Sequence, residues 1–317
     1  MIPKTYLKTV PVLSMLMLLT FMSACQKGNT MAPDTAVTNK TIKTISDAKA
    51  AAAIQSVCYV EVNTENMLDV GDYTLANGKQ LFSIGIIFAA NINYNTTTQS
   101  AVLYYNTQVT NVLTNAATYI KPLQAKGIKV LLSILGNHEG AGISNFATQA
   151  AATAFAQQLS TAVTTYGLDG IDFDDEYADY GTNGTGQPNA YSFVYLVTAL
   201  HKLMPTKIIS FYNYGPAASY LSYGGVTVGS QINYSWNPIY GTYAVPNIPG
   251  LTKAELAPAA VDIQNTASAT AKSLATKTVK QGYGCYMFYN IPDGDDHTYL
   301  STVSQVLYKQ ATVYKAN

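Results

Sequence analysis

The chain has 317 residues, and 18 Lys plus Arg balance 18 Asp plus Glu, so its formal net charge is zero at neutral pH. That balance leaves no basic footprint for a nucleic acid, and 48% hydrophobic residues over this length are ample for one large core or two small ones. Charged residues make up only 11% of the chain while tyrosine reaches 25 residues. A surface solvated by hydroxyls and amides suits an exported protein, and tyrosine faces suit either internal packing or weakly polar ligands such as sugars.

In chain order, Lys4 and Lys8 precede an apolar run, Val10 to Met22, that is too short for a stable membrane span and has the character of a signal-peptide core. The run ends in Met22-Ser23-Ala24-Cys25. Small residues directly before a cysteine resemble the lipobox of bacterial lipoproteins. The resemblance implies that Cys25 becomes an acylated N-terminus and anchors an exported protein to the cell envelope, at the periplasmic side or the cell surface. A plain cleaved signal peptide is the alternative. Residues 1–25 are therefore read as the signal peptide, 26–54 as a tether rich in Thr, Ala, Asn and Lys, and 55–317 as the folded domain. Cys58 and Cys285 lie in the apolar runs VCYVEV and GCYMFY and read as buried free thiols. No cysteine pair has metal-ligand spacing and there are three histidines, so no metal is expected.

Strand-like runs follow at 57–63, 82–92, 128–135, 168–174, 207–213, 231–236 and 284–289, with helical patterns at 99–126, 145–166, 190–204 and 262–281. Pro122 interrupts the first helical pattern near its end. Near-continuous apolar strands separated by helices argue a parallel sheet covered on both faces. Seven or eight such units predict an α/β fold, a (β/α)8 TIM-type barrel. No strand stands out between 245 and 262 and no helix after 213, so some helices are expected to be short or missing on one side. Polar residues cluster at the C-terminal ends of the runs: Asn63, Asn91, Ser133 to His138, Asp174 to Glu176, Tyr212-Asn213 and Trp236-Asn237. Barrels of this type carry their chemistry there.

Residues 167–181 read GLDGIDFDDEYADYG, with Asp169, Asp172, Asp174, Asp175 and Glu176 close together. Strand side chains alternate faces. Asp172, Asp174 and Glu176 therefore point into the barrel and its mouth, while Ile171, Phe173 and Asp175 point the other way. Three carboxylates on one face cannot all ionise in a partly dry pocket, and the outermost, Glu176, is placed to hold a proton and act as a general acid. A Ca²⁺ or Mg²⁺ cage and a purely structural cluster are the alternatives.

The run Asp169 to Glu176 matches the DGxDxDxE signature, and the chain resembles glycoside hydrolase family 18, more closely its endo-β-N-acetylglucosaminidases of the endoglycosidase H type. YVEVN (59–63), IFAANINY (87–94), KVLLSILGNHEGAG (129–142), YGLDGIDFDDEYADYG (166–181), IISFYNYGPAASYLSYGGV (208–226) and YSWNPIYGTY (234–243) carry the resemblance, which covers about residues 55–315. It implies Glu176 as acid and then base, Asp174 as the carboxylate that orients the substrate's 2-acetamido group, and Asp172 as a deeper carboxylate sharing a proton with Asp174. It also implies Asp169 as a structural residue and Tyr240 as donor to the acetamido oxygen. The implied reaction is cleavage of the GlcNAcβ1-4GlcNAc core of N-linked, high-mannose glycans on glycoproteins, with retention. Nothing in the sequence suggests a cofactor, and a monomer is expected. Chitinases of the family carry SxGG on the third strand and a tryptophan floor on the last. Here those positions are Ser133-Ile134-Leu135-Gly136 and Tyr289, and the only tryptophan is Trp236. Ser133, Asn137, His138, Tyr212, Asn213, Trp236, Asn237 and Tyr289 are the candidate substrate-binding residues, with local loop support as the competing role. A hydrolase of N-acetylglucosamine oligomers and a non-catalytic glycan-binding protein are the alternative functions.

Overall fold

The computed structural model describes residues 54–316; Cys25, the signal peptide and all of the tether except Ile54 lie outside them. Eight strands build a parallel sheet: β1 (Gln55–Glu61), β2 (Ile84–Asn95), β3 (Lys129–Gly136), β4 (Gly170–Asp174), β5 (Ile208–Tyr212), β6 (Tyr234–Trp236), β7 in two segments (Leu256–Ala257 and Ala259–Asp262) and β8 (Cys285–Tyr289). Neighbours pair in chain order from β1 to β7, and β8 pairs with both β7 and β1. β7 closes the ring. Its first segment pairs with β6, Ser235 opposite Leu256, and its second with β8, Ala260 opposite Met287. Pro258, between the segments, has no N–H to give a ladder, which is why the strand is split.

This seventh strand is the one the sequence pattern misses. LAPAAVD, residues 256–262, is built of small residues around a proline and carries a weak strand signature. The helical pattern at 99–126 also needs correction. Ser100–Tyr104 is a strand that turns back antiparallel on β2, with Tyr104 opposite Asn91. Three short helices then follow, α1 (Thr107–Thr114), α2 (Ala116–Tyr119) and α3 (Lys121–Ala125). Pro122 sits in the first turn of α3, where its missing N–H costs no helical bond.

The other helices are α4 (Gln149–Tyr166), α5 (Ser192–Leu203), α6 (Ser268–Gln281) and α7 (His297–Leu307). α4 shows its boundaries in sequence. The Thr148 hydroxyl accepts from the Ala151 N–H at 3.1 Å, and Gly167 ends the helix at φ 65°. After β5 and β6 the described residues contain 3-10 turns, loops and two-residue strands but no α-helix, so the helical coat is thin on that side. A two-stranded sheet of Tyr73–Leu75 with Thr312–Tyr314 ties the C-terminal segment back to the barrel.

Two apolar layers result. Tyr59, Ile86, Leu131, Trp236 and Met287 fill the barrel, while alternate residues face the helices. Phe173 meets Phe193 of α5 edge-on at 5.7 Å. Cys58 belongs to the outer layer and Cys285 to the inner one, and both are buried free thiols.

Candidate active site

Gly170 to Asp174 is buried throughout, and the alternation of β4 sends Ile171 and Phe173 outward to the helix layer. Asp172 and Asp174 face inward. Asp172 is fully buried and each carboxylate oxygen takes two donors. Oδ2 accepts from the Tyr59 hydroxyl at 2.9 Å and Ser133 Oγ at 2.8 Å, and Oδ1 from Ser210 Oγ at 2.5 Å and Trp236 Nε1 at 3.3 Å. Burial pushes the acid up to about 6 and the four donors restrain it. A carboxylate has about four lone-pair sites, and all are filled by donors. The hydrogen bonds of Asp172 all run to Tyr59, Ser133, Ser210 and Trp236, and none of them runs to Asp174.

Asp174 is the opposite case. It is buried, and its Oδ1 has no hydrogen-bond partner among the described residues. Burial, then the charges of Glu176, Asp172 and Asp175, raise its acid well above the carboxylate range. Glu176 follows at the mouth, half-buried, its acid raised by burial.

Across the mouth stand aromatic rings. Tyr240 stacks on Tyr289 of β8 at 5.0 Å and 20°, and Phe88 of β2 meets Tyr289 edge-on at 6.1 Å. Burial, then the Tyr212 hydroxyl beside it, keeps the Tyr240 phenol protonated, with Asp174 adding to the effect. Burial, then Glu61 and Asp262, push the Tyr289 phenol up to about 12. The loop carrying Tyr240 is braced from below. The Tyr212 hydroxyl donates to the Pro238 carbonyl at 2.6 Å, and Asn237 Nδ2 donates to the carbonyls of Thr242 at 3.2 Å and Pro258 at 2.9 Å.

The structure divides the candidate residues. Glu176, Asp174, Tyr240, Tyr289 and Tyr212 surround one mouth. Ser133 and Trp236 are fully buried and spend their polar atoms on Asp172, and buried Asn237 spends its on the loop. None of these three offers a surface to a sugar, so their expected role as substrate contacts is corrected to support. Asn213 lies at the end of β5 with Oδ1 partnerless among the described residues. Asn137 Nδ2 donates to Asn93 Oδ1 at 2.9 Å, linking the loop after β3 to the extended end of β2. His138 stands on the rim, its side chain 63% exposed and paired with Asp179 at 3.0 Å. Asp169 is structural, accepting from the Val130 N–H at 3.0 Å and Gln124 Nε2 at 2.7 Å.

Tyr59 and Ser210 are the members that sequence reasoning missed. Ser210 had a usable signal, a lone hydroxyl inside the apolar run IISFY, which must find a partner if buried. A second group holds the acidic segment from outside. Buried Asp175 accepts from Ser144 Oγ at 2.6 Å, the Ala217 N–H at 2.7 Å and the Tyr180 hydroxyl, tying together the loops after β3, β4 and β5. The Gly136 N–H donates to the Glu176 carbonyl at 3.0 Å, and a side chain at 136 would press into that carbonyl and the Ala178 amide. Among the described residues, no group of three or more His, Cys, Asp or Glu is arranged to hold a metal ion. A cavity of about 720 Å³ opens at the other end of the barrel, beside Gln55 and Tyr234, and contains none of the inward carboxylates. Chemistry, not volume, marks the site.

A parallel eight-stranded barrel with inward carboxylates at the C-terminal end of its fourth strand, facing stacked tyrosines, has the architecture of a barrel glycosidase. The chain belongs to glycosyl hydrolases family 18, whose pattern matches residues 55–224. It is 58% identical over 259 residues to an endo-beta-N-acetylglucosaminidase of Flavobacterium sp. (strain SK1022), covering 82% of each chain. It is 35% identical over 310 residues to endo-beta-N-acetylglucosaminidase F1 of Elizabethkingia meningoseptica, covering 92% of this chain and 90% of that one. The structure superposes on EndoBT-3987 of Bacteroides thetaiotamicron, solved with Man5GlcNAc product, with a TM-score of 0.75 and 27% identity. That match covers 84% of this chain, which spans 63% of the EndoBT-3987 chain. A family 18 chitinase from Pseudoalteromonas aurantia shares the fold, with a TM-score of 0.55 and 18% identity over 80% of this chain and 99% of that one.

Proposed function

We propose that the chain is an endo-β-N-acetylglucosaminidase. It hydrolyses the GlcNAcβ1-4GlcNAc bond in the core of high-mannose N-linked glycans, with retention, and the substrate's own acetamido group is the nucleophile. The observation that carries this reading is the buried, partnerless Oδ1 of Asp174 between Asp172, Glu176 and Tyr240. A buried acceptor without a donor costs free energy, and an acetamido N–H would satisfy it. The names of the two relatives, and the Man5GlcNAc and Man9GlcNAc2Asn bound in the EndoBT-3987 structures, support the substrate class.

In this mechanism Glu176 gives its proton to the glycosidic oxygen while the acetamido oxygen attacks the anomeric carbon. The leaving GlcNAc departs with that proton and an oxazolinium ion remains. Asp174 accepts the acetamido N–H, and that hydrogen bond strengthens as positive charge develops on the acetamido group. Tyr240 donates to the acetamido oxygen. Water then attacks the anomeric carbon, Glu176 takes its proton, and the sugar is released with its original configuration. The nucleophile comes attached to the substrate, which supplies the proximity advantage and excludes sugars without N-acetyl at the cleaved residue.

The test is incubation of residues 26–317 with a high-mannose glycoprotein, followed by mass spectrometry, beside Glu176→Gln. One GlcNAc left per site with the wild type alone is the expected result; an uncut glycoprotein sinks the reading. Met22 to Cys25 support a further part of the proposal, an enzyme tethered to the cell envelope through acylated Cys25. Metabolic labelling with a fatty-acid analogue should mark the wild type and not Cys25→Ser.

A further inference from the structure

Tyr177, the residue after Glu176, combines features that packing does not explain. Its backbone lies in the left-handed region at φ 56°, unusual for an aromatic residue, yet its side chain is 55% exposed. Strain of this kind is ordinarily offset by burial or by bonds that need the side chain. Here the bonds are all backbone. The His138 N–H donates to the Tyr177 carbonyl at 2.6 Å, flanked by Gly136 to Glu176 at 3.0 Å and Gly140 to Ala178 at 2.7 Å. A glycine would make every one of them without strain.

The ring has a definite place nonetheless. It lies 5.5 Å from the ring of His138, itself at φ 57° and held by Asp179 at φ 50°. β4 and β8 stand on opposite walls of the eight-stranded ring, so Tyr177, directly after Glu176 at the end of β4, stands across the mouth from the Tyr240–Tyr289 stack.

We propose that Tyr177 is a substrate contact, its ring lying over the N-acetylglucosamine at the scissile linkage and closing the cleft opposite the Tyr240–Tyr289 stack. This rests on the endoglycosidase reading above. The His138–Asp179 pair fixes the ring's edge, so the contact is preformed rather than gathered on binding.

The test compares wild type, Tyr177→Gly and Tyr177→Phe for melting temperature and for kcat/KM on a high-mannose glycopeptide. Binding of the intact glycopeptide to Glu176→Gln, with and without Tyr177→Gly, is measured by calorimetry. Tyr177→Gly should melt at the wild-type temperature or roughly 2–4 °C higher. Its kcat/KM and its affinity in the Glu176→Gln background should each fall about tenfold, the order of one lost contact in a binding site. Tyr177→Phe should stay near wild type, because the ring face makes the contact. A Tyr177→Gly enzyme with wild-type kcat/KM and affinity overturns the proposal, and so does a lowered melting temperature, which would make the ring structural. A wild type that neither cleaves nor binds the glycopeptide overturns the endoglycosidase reading as well; one that cleaves it beside an equally active Tyr177→Gly overturns this inference alone.

Discussion

Asp172→Asn separates charge from shape at the centre of the barrel. Burial raises the Asp172 acid from 3.8 to about 6. Between those values the native protein holds a proton that the unfolded chain has released. The stability tied to that proton is complete below pH 3.8 and is lost as pH rises through 6. About two pH units at 1.36 kcal/mol each give a loss of about 3 kcal/mol by pH 8. An asparagine does not titrate and has a docking solution in the same pocket. Its oxygen can face Ser210 Oγ and the Trp236 indole, which only donates, while its NH2 faces the Tyr59 and Ser133 hydroxyls, which can turn to accept. Urea unfolding of wild type and variant at pH 4 and pH 8, followed by circular dichroism, measures the effect. The stability of the variant relative to wild type should improve by about 2.5 kcal/mol between the two pH values, part of the full loss having occurred below pH 4. A difference that stays the same at both would refute the account of Asp172 as a buried anion held against desolvation by four donors.

Three further outcomes follow from the same geometry. Asp175→Ala leaves the Ser144, Tyr180 and Ala217 donors unpaired in a buried place, and should cost about 3 kcal/mol or more in urea unfolding. Trp236→Phe removes only the longest of the four donors to Asp172, so steady-state kinetics should show a lowered kcat with KM unchanged, whereas loss of a sugar-binding floor would raise KM. Gly136→Ala forces the Glu176 carbonyl and the Ala178 amide to move. Its kcat should fall by about 10²-fold with substrate affinity largely kept, the scale expected when an acid is displaced by about 1 Å.

The barrel was legible where strands are apolar and bounded by helices, because burial on both faces leaves a continuous hydrophobic run. β4 was the clearest case. Ile171 and Phe173 announce one face, so Asp172 and Asp174 must share the other, and the structure places them there. β7 was illegible because closing the ring at LAPAAVD depends on neighbours on both sides, β6 and β8, and not on local preference. The strand Ser100–Tyr104 was absorbed into a helical pattern for the same reason: its pairing with β2 is a long-range fact.

The site was legible in position more than in depth. A strand end is readable from sequence, but whether its side chain reaches a ligand or stops one layer lower is a matter of register. Ser133 and Ser210 are direct cross-strand partners of Asp172 on β3 and β5, so their hydroxyls meet its carboxylate before anything else can. Trp236 reaches the same carboxylate from β6, while Tyr289 on β8 stacks on Tyr240 at the mouth. The two inward aspartates therefore have opposite electrostatic fates, though they stand two residues apart on one strand. Asp172 has every acceptor filled by the protein, and its charge is one cause of the raised acid of Asp174. Asp174 is left with a buried oxygen that the described residues do not satisfy. An unfilled acceptor costs about 1–3 kcal/mol in the free protein. In the proposed mechanism a ligand that brings its own N–H recovers that cost only when bound, which would select for an acetamido sugar at this position without any residue having to exclude the others.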